Sequence, residues 1–250
     1  MSNQNNTLRF SNRVQDYIRY RPHYPSGVLD ILKSHCGMSS EHIVADIGSG
    51  TGISSELFLQ NGNLVYAIEP NREMRQAAET LHADIPHFHS REGTGENTGL
   101  EDASVDFIVC AQTFHWLDAI LAKKEFVRIL KPKGKIVLIW NERSIDSDFQ
   151  NKYEETLYRC VSAYKEVTHR DISETVLSDF FSPRTMSKYQ LPNYQDLDLE
   201  GLLGRMMSSS YIPKEGEEHL RLISEVTQLF HNHKLDGKVR FEYHTTVYIG

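Results

Sequence analysis

The sequence predicts an α/β fold of the doubly wound kind, a mostly parallel sheet with helices on both faces. Three observations predict it. Short apolar runs alternate with helix-patterned segments over roughly the first 140 residues, the pattern of strand–helix–strand units. The first run closes on a glycine cluster and the second on an acid, and open parallel sheets bind ligands just past such strand ends. The last stretch, Val239 to Ile249, alternates and is rich in Val, Tyr and Thr, which suits a terminal strand.

The elements follow in chain order. His42 to Ile47 reads as the first strand, and Ser54 to Gln60 as a helix closing on Asn61-Gly62. Asn63 to Glu69 is the second strand. Asn71 to His82 is a helix with an Ala-rich interior and Asn71 as its N-cap, because an Asn side chain accepts from the free N–H groups of the first turn. Ile85 to Ser90 is a weak third strand and Val105 to Gln112 a strong fourth. Asp118 to Leu130 is a helix with Ile120, Leu121, Phe126, Val127 and Leu130 as its apolar positions. Lys131 to Gly134 reads as a turn, and Lys135 to Trp140 as the fifth strand.

The second half has a different texture. Asp148 to His169 is a long helical stretch whose tyrosines read as packing. Arg184 to Leu191 looks extended. Leu197 to Ser210 looks helical, weakened by Gly201 and Gly204. Glu215 to His233 is an amphipathic helix.

Composition narrows the class of function. The 250 residues are 39% apolar and 24% charged, with a net charge of -7. An acidic chain does not fit general binding to a phosphate backbone, which needs a basic surface, so no nucleic-acid partner is expected. Cys36, Cys110 and Cys160 form no C-x-x-C pair, which argues against a disulfide framework or structural zinc and for a reducing, cytoplasmic setting. The opening MSNQNNTLRF lacks the apolar stretch of a secretory signal; residues 1 to 8 read as a frayed tail. No apolar run approaches the ~20 residues of a membrane helix, so no membrane association is expected. A monomer or a homodimer both fit.

The sharpest motif is Val44 to Gly52, VADIGSGTG. Glycines at 48, 50 and 52 allow the backbone to approach a ligand closely, and the helix that follows offers free N–H groups. The dinucleotide fingerprint G-x-G-x-x-G fails, because Ile53 or Ser55 stands where the third glycine is needed; no G-K-[ST] follows, so the P-loop reading fails too. Glu69 ends the second strand, seventeen residues after Gly52. A carboxylate there can accept from both hydroxyls of a ribose.

The chain resembles the class I S-adenosylmethionine-dependent methyltransferases. The residues that carry the resemblance are VADIGSGTG (44–52), AIEPNREM (67–74), GTGENTGLEDASVDFIVCAQTFHWLD (93–118) and RILKPKGKIVLIW (128–140). RPHYP (21–25) and GLLGRMMSSSYIP (201–213) are similar to the small-molecule branch that includes trans-aconitate methyltransferase-like proteins. The resemblance implies a Rossmann-like, seven-stranded sheet with an antiparallel last strand and a helical substrate cover. It also implies a single domain over 1–250: an N-terminal lid helix region at 9–35, a cofactor-binding core at 40–142, a cover at 143–238 that includes the sixth strand, and the last strand at 239–250.

The resemblance also assigns roles. Gly48, Ser49, Gly50 and Gly52 face the methionine part of S-adenosylmethionine, with Asp46 behind them near its amino group. Glu69 holds the ribose, Asn71 and Met74 flank the adenine, and Thr94 with Gly95 reads the adenine edge; Pro70 and Glu96 complete that set. Relatives often carry Asp at the position of Thr94. Gln112 lies at the sulfonium end. His115, as a base, and Trp116, as an apolar wall, line the acceptor site.

Arg9, Arg13, Arg19 and Arg21 fall within thirteen residues, together with Tyr17, Tyr20 and Tyr24. This basic stretch reads as a lid that attracts a carboxylate, with Arg21 a cofactor-binding candidate and Tyr20 a catalytic one. His82, His87 and His89 read as solvent-facing. No Asp/Asn cluster suggests a catalytic metal. The expected activity is in-line methyl transfer to a small-molecule acceptor, with a carboxylate among the candidates. The alternatives are a cofactor-binding protein without transfer and an RNA or protein methyltransferase.

Overall fold

The computed structural model describes residues 14–166 and 173–250. Seven strands build one sheet: β1 (Ile43–Ile47), β2 (Leu64–Ile68), β3 (Phe88–Arg91), β4 (Val105–Ala111), β5 (Leu130–Arg143), β6 (Ser187–Leu197) and β7 (Val239–Ile249). Their order is β3-β2-β1-β4-β5-β7-β6. Strands β1 to β5 are parallel neighbours, and β7 runs antiparallel between β5 and β6. β1 pairs on one side with β2 and on the other with β4. The strand order reverses there, which opens a crevice at the carboxyl ends.

Nine helices occur among the described residues: α1 (Val14–Tyr20), α2 (Gly27–Cys36), α3 (Ile53–Gln60), α4 (Arg72–Leu81), α5 (Ala119–Ile129), α6 (Asp148–Cys160), α7 (Glu174–Phe181), α8 (Leu199–Met207) and α9 (Glu217–His233). Side chains alternate across a strand, so the sheet builds two cores. Ile47, Ile68, Ile108 and Leu138 pack on one face with Phe126 of α5 and Phe181 of α7. Val44, Val65, Val109 and Val137 pack on the other with Leu32 of α2 and Phe58 of α3. A third cluster joins Tyr153, Leu157, Leu202, Met206, Leu222 and Phe230 to Phe241 and Tyr243 of β7. This cluster packs α6, α8 and α9 against β7.

The predicted cap forms as its chemistry requires, and a second one accompanies it. The Asn71 side chain accepts from Met74 N–H, and Asp118 accepts from the N–H groups of Ile120 and Leu121. Several expectations change. Lys131 to Gly134 is no turn: it lies inside β5, where the pairing jumps from Val105–Leu130 to Phe107–Lys135. The extra residues are absorbed as a bulge. The long helix ends at Cys160 and is followed by a 3₁₀ segment, Ser162–Glu166; the expected continuation at 167–169 lies outside the described residues. Helix α7 was not anticipated. In α5, Ile120, Leu121 and Val127 are exposed, and Phe126 and Ile129 make the buried face. The tail at 1–8 and Arg9 and Arg13 lie outside the described residues. Among those described, no helix is long and apolar enough to cross a membrane, and the three cysteines are free.

Candidate functional site

β1 ends at Ile47, and the chain turns through Gly48, Gly50 and Gly52 with φ of 65°, 57° and 88°. L side chains avoid these values, so the motif is spaced by backbone need. The N–H groups of Gly48 and Ser49 donate to Ile68 O at 2.8 and 3.2 Å, which ties the loop to the end of β2. A Cβ on Gly48 would lie 2.5 Å from Thr113 Cγ2, and Thr113 Oγ1 itself donates to Ile47 O at 2.8 Å. Gly52 caps α3, and a Cβ there would lie 2.6 Å from His82 Nε2. His82 is therefore buried against the loop rather than facing solvent, because α4 packs its carboxyl end under Gly52.

Glu69 follows β2 and is 8% exposed. Its Oε2 accepts the Gly50 N–H at 2.9 Å and its Oε1 the Asn71 N–H at 2.8 Å. Burial raises its pKa, against the two backbone bonds and the nearby Arg75. Arg75 Nη1 donates to the carbonyls of Glu69 and Pro70. A carboxylate has about four lone-pair sites, so two remain after the backbone bonds. Glu69 fits a vicinal diol on that count.

Asp46 is fully buried behind the loop and lines neither hollow of the crevice. Its Oδ2 accepts from the Ser54 and Ser55 hydroxyls at 2.7 Å each. Its Oδ1 is buried with no hydrogen-bond partner among the described residues. Burial pushes the carboxyl up to about 6, partly offset by the two serines.

The crevice holds two hollows. The smaller, about 170 Å³, is a mainly apolar groove bordered by Gly48, Gly50, Glu69, Pro70, Asn71 and Met74 on one side. Thr94, Gly95 and Glu96 border it on the other, with Leu117. Gly95 is close-packed: a Cβ there would lie 2.8 Å from Leu117. Glu96 accepts the Asp118 N–H at 2.8 Å and so ties this rim to α5. A mainly apolar groove with the recessed Glu69 carboxylate is the usual composition of a small-ligand site.

The larger hollow, about 370 Å³, takes in Arg21, Ser49, His115 and Trp116. The two share Tyr17, Gly48, Gln112 and Trp116, so they are continuous. Gln112 stands at the junction with φ of 61°. Its N–H donates to Ile139 O at 2.8 Å, and its Nε2 donates to Asn141 O at 2.9 Å. These bonds fix a side chain on a backbone that non-glycine residues seldom adopt. His115 and Trp116 belong to a 3₁₀ turn, Phe114–Trp116, just past β4, and their rings stand 4.7 Å apart.

The N-terminal segment lies across the larger hollow. Arg21 Nη2 donates to Ser208 O at 2.9 Å, and its guanidinium sits 4.8 Å from the Tyr17 ring. Tyr17 and Arg21 are one helical turn apart and share a face. Asn193 Nδ2 donates to His23 O at 2.8 Å, and Gln195 Nε2 to Tyr20 O at 3.1 Å. Tyr20 is a correction. Its hydroxyl donates to Glu200 at 3.0 Å, its ring covers Gly204, and it borders neither hollow. Arg19 is exposed.

Sequence reasoning placed Tyr24 in the lid stretch but missed much of the rest of the larger hollow: Trp140, Asn141, Arg143, Arg205 and Tyr211. Arg143 forms an ion pair with Glu154. Burial pushes the Tyr211 hydroxyl up, but the positive field of Arg143, Arg205 and Arg21 and a bond to Ser209 outweigh it, leaving the group below its ordinary pKa. Burial, and then the neighbouring Arg205, lower the pKa of Arg21. Three guanidiniums thus converge on one wall. Among the described residues, no group of His, Cys, Asp and Glu could hold a metal ion.

Comparison with known proteins agrees with this geometry. Residues 45–138, the span from β1 into β5, match the family described as "Methyltransferase domain". An uncharacterized methyltransferase-like protein of Schizosaccharomyces pombe is 34% identical over 144 residues, 57% of this chain and 55% of that protein. An uncharacterized methyltransferase of Mycobacterium tuberculosis is 28% identical over 233 residues, 93% of this chain and 89% of that one. Among solved structures, a protein described as a type II methyltransferase from Anaeromyxobacter dehalogenans shares the fold, with a TM-score of 0.65 and 18% identity over 92% of this chain and 97% of that one. Geranyl diphosphate methyltransferase, solved with S-adenosylmethionine, shares it at a TM-score of 0.51 and 14% identity, over 90% and 84% of the two chains.

Proposed function

We propose that this chain is a class I S-adenosylmethionine-dependent methyltransferase, as its match to the methyltransferase domain family and its relatives support, and that it transfers the methyl group to a small-molecule acceptor held in the larger hollow. The observation that carries this reading is the continuity of the two hollows at Gln112 and Trp116. One accommodates a nucleoside; the other, at about 370 Å³, has the size of a small-molecule site.

The residues fit the cofactor. Glu69 has lone pairs left for the ribose hydroxyls, and Gly48 and Gly50 leave the loop without side chains beside the groove. Pro70, Asn71 and Met74 form one wall for the adenine, with Thr94, Gly95 and Glu96 as the other. Ser49 and Gly52 belong to the loop that takes the methionine part. Asp46 stands behind with one unpartnered oxygen, suited to a cation such as the amino group, directly or through water. Arg21 offers its charge to the carboxylate.

When bound, the cofactor supplies a methyl group already activated on a sulfonium. The chain therefore needs mainly to align the acceptor and exclude water. Alignment alone is worth up to roughly 7–11 kcal/mol. Gln112 fixes the junction through its bond to Asn141 O, Trp116 walls both hollows, and the N-terminal segment covers the opening. A carboxylate acceptor needs no base; for a hydroxyl or amine, His115 is the base.

The test is to incubate the protein with methyl-labelled cofactor and a panel of small acids, phenols and amines. Label in an acceptor, with matching S-adenosylhomocysteine, supports the reading. Tight cofactor binding without turnover on any acceptor favours a binding protein instead.

A further inference from the structure

The larger hollow carries positive charge that its own wall does not answer. Arg21, Arg143 and Arg205 all line it. Arg143 is paired with Glu154. Arg205 is held differently: Nε donates to the Tyr243 hydroxyl at 3.0 Å and Nη1 to Ser209 Oγ at 3.2 Å, both neutral partners. Arg21 donates to a carbonyl, and its Nε is buried with no partner. Among the described residues, no carboxylate pairs with Arg21 or Arg205. Glu142 also lines the hollow, but its Oε2 accepts from Thr246 Oγ1 at 3.0 Å and it pairs with neither. A recessed charge without a counter-charge is costly. A ligand that brings the missing anion removes that cost, and a planar guanidinium is suited to clasp it.

We infer that Arg205 anchors an anionic group of the acceptor, and that this group is not the one methylated. The inference rests on the reading of the larger hollow as the acceptor site. It adds a specificity determinant: the acceptor carries a carboxylate, phosphate or sulfate at one end and the methyl-accepting atom at the other. Two arguments separate the ends. An oxygen clasped by a guanidinium gives up electron density and is a poorer nucleophile. Methylating it would also erase the charge of a carboxylate or sulfate, or halve that of a phosphate, which Arg205 needs. The anchored group therefore keeps its charge through turnover. The reacting atom lies at the opposite end, by Gln112 and Trp116, where the groove joins the hollow. Neutral and purely cationic compounds of similar size are poor acceptors on this account.

Binding calorimetry on the full chain saturated with S-adenosylhomocysteine tests this. The probes are succinate, inorganic phosphate and sulfate, with neutral succinamide as the control. At least one anion binds, and succinamide does not. R205M weakens the anion about ten- to hundredfold, the worth of a charged hydrogen-bonded contact. R205K keeps a charge but loses the fork, and weakens it several-fold. Affinity for S-adenosylhomocysteine stays near that of the parent, and a cooperative unfolding transition shows that both variants are folded. The inference is overturned if no anion binds the parent, if succinamide binds as well as succinate, or if either variant binds the anion as tightly as the parent. It is also overturned if affinity for S-adenosylhomocysteine falls in step with the anion, since the charge answered by Arg205 is then the cofactor's. The readout is binding, so a failure of turnover on every acceptor would count against the proposed function and leave this result separately readable.

Discussion

The Glu69 carboxylate accepts the Gly50 N–H at 2.9 Å and so locks the glycine loop to the end of the neighbouring strand. The same side chain accepts the Asn71 N–H that starts α4. One buried acid thus sets both the loop and the wall of the groove before any ligand arrives. Replacing Glu69 with Ala removes both bonds and, on the proposed reading, the contacts to the ribose diol. Affinity for S-adenosylhomocysteine should fall by at least tenfold, since one hydrogen bond to a charged group is worth about 1.5–3 kcal/mol. Glu69→Gln, which keeps one acceptor oxygen, should lose less. Titration calorimetry measures both, and equal affinity in parent and E69A contradicts the assignment.

Gly48 and Gly50 share the left-handed conformation but differ in surroundings. A Cβ at 48 meets Thr113 at 2.5 Å, while nothing lies within 4 Å of one at 50. Gly50→Ala should cost about 1–3 kcal/mol from backbone strain, and Gly48→Ala more, because Thr113 is held to Ile47 O and cannot retreat without breaking that bond. Chemical denaturation of both variants gives the comparison. Equal losses would mean that packing against Thr113 contributes nothing.

Asp46 gives a pH dependence with a definite sign. Burial raises its carboxyl to about 6, against about 3.9 in an unfolded chain. The folded state then holds the proton more tightly, so this group's contribution is fully present below about pH 4 and is lost as pH rises through about 6. The size is about 3 kcal/mol by the shift alone. Asp46→Asn keeps an oxygen for Ser54 and Ser55 and should flatten the stability profile between about pH 4 and 6. Glu69, also raised, leaves a residual slope of the same sign. Denaturation midpoints across that range decide it; an unchanged slope in the variant contradicts the burial argument.

Gln112 occupies a backbone conformation that its side chain does not favour, at the junction of the two hollows. Its φ of 61° favours glycine. Gln112→Gly should relieve strain of about 1–3 kcal/mol yet lower kcat by about 10²-fold, because the carboxamide held to Asn141 O is lost and the junction loses its alignment. A loss confined to KM, with kcat preserved, would assign Gln112 to acceptor binding instead.

The cofactor side was far more legible in the sequence than the acceptor side. Gly48, Gly50 and Glu69 are announced by short-range pattern: strand, glycine turn, helix, and an acid at the next strand end. Met74 and Thr94 come through the resemblance of AIEPNREM and the 93–118 segment, not from local pattern. The larger hollow has no such signature. Tyr17, Arg143, Arg205 and Tyr211 come from four distant stretches, and only the sheet order brings them together. Tyr17 and Tyr20 share one basic stretch, and composition does not say which face of α1 turns inward; Gly204, with no side chain, takes the Tyr20 ring on the other face. The Lys131–Gly134 turn signal was real in composition, but pairing with β4 draws it into β5 as a bulge.

The central claim is transfer from the cofactor to a small molecule in the larger hollow. Mass spectrometry of a reaction with methyl-labelled S-adenosylmethionine and an acid, phenol and amine panel tests it most directly. The account predicts one labelled methyl group on an acceptor bearing a separate anionic group, with stoichiometric S-adenosylhomocysteine. Cofactor that binds the protein and stays intact with every acceptor would contradict it.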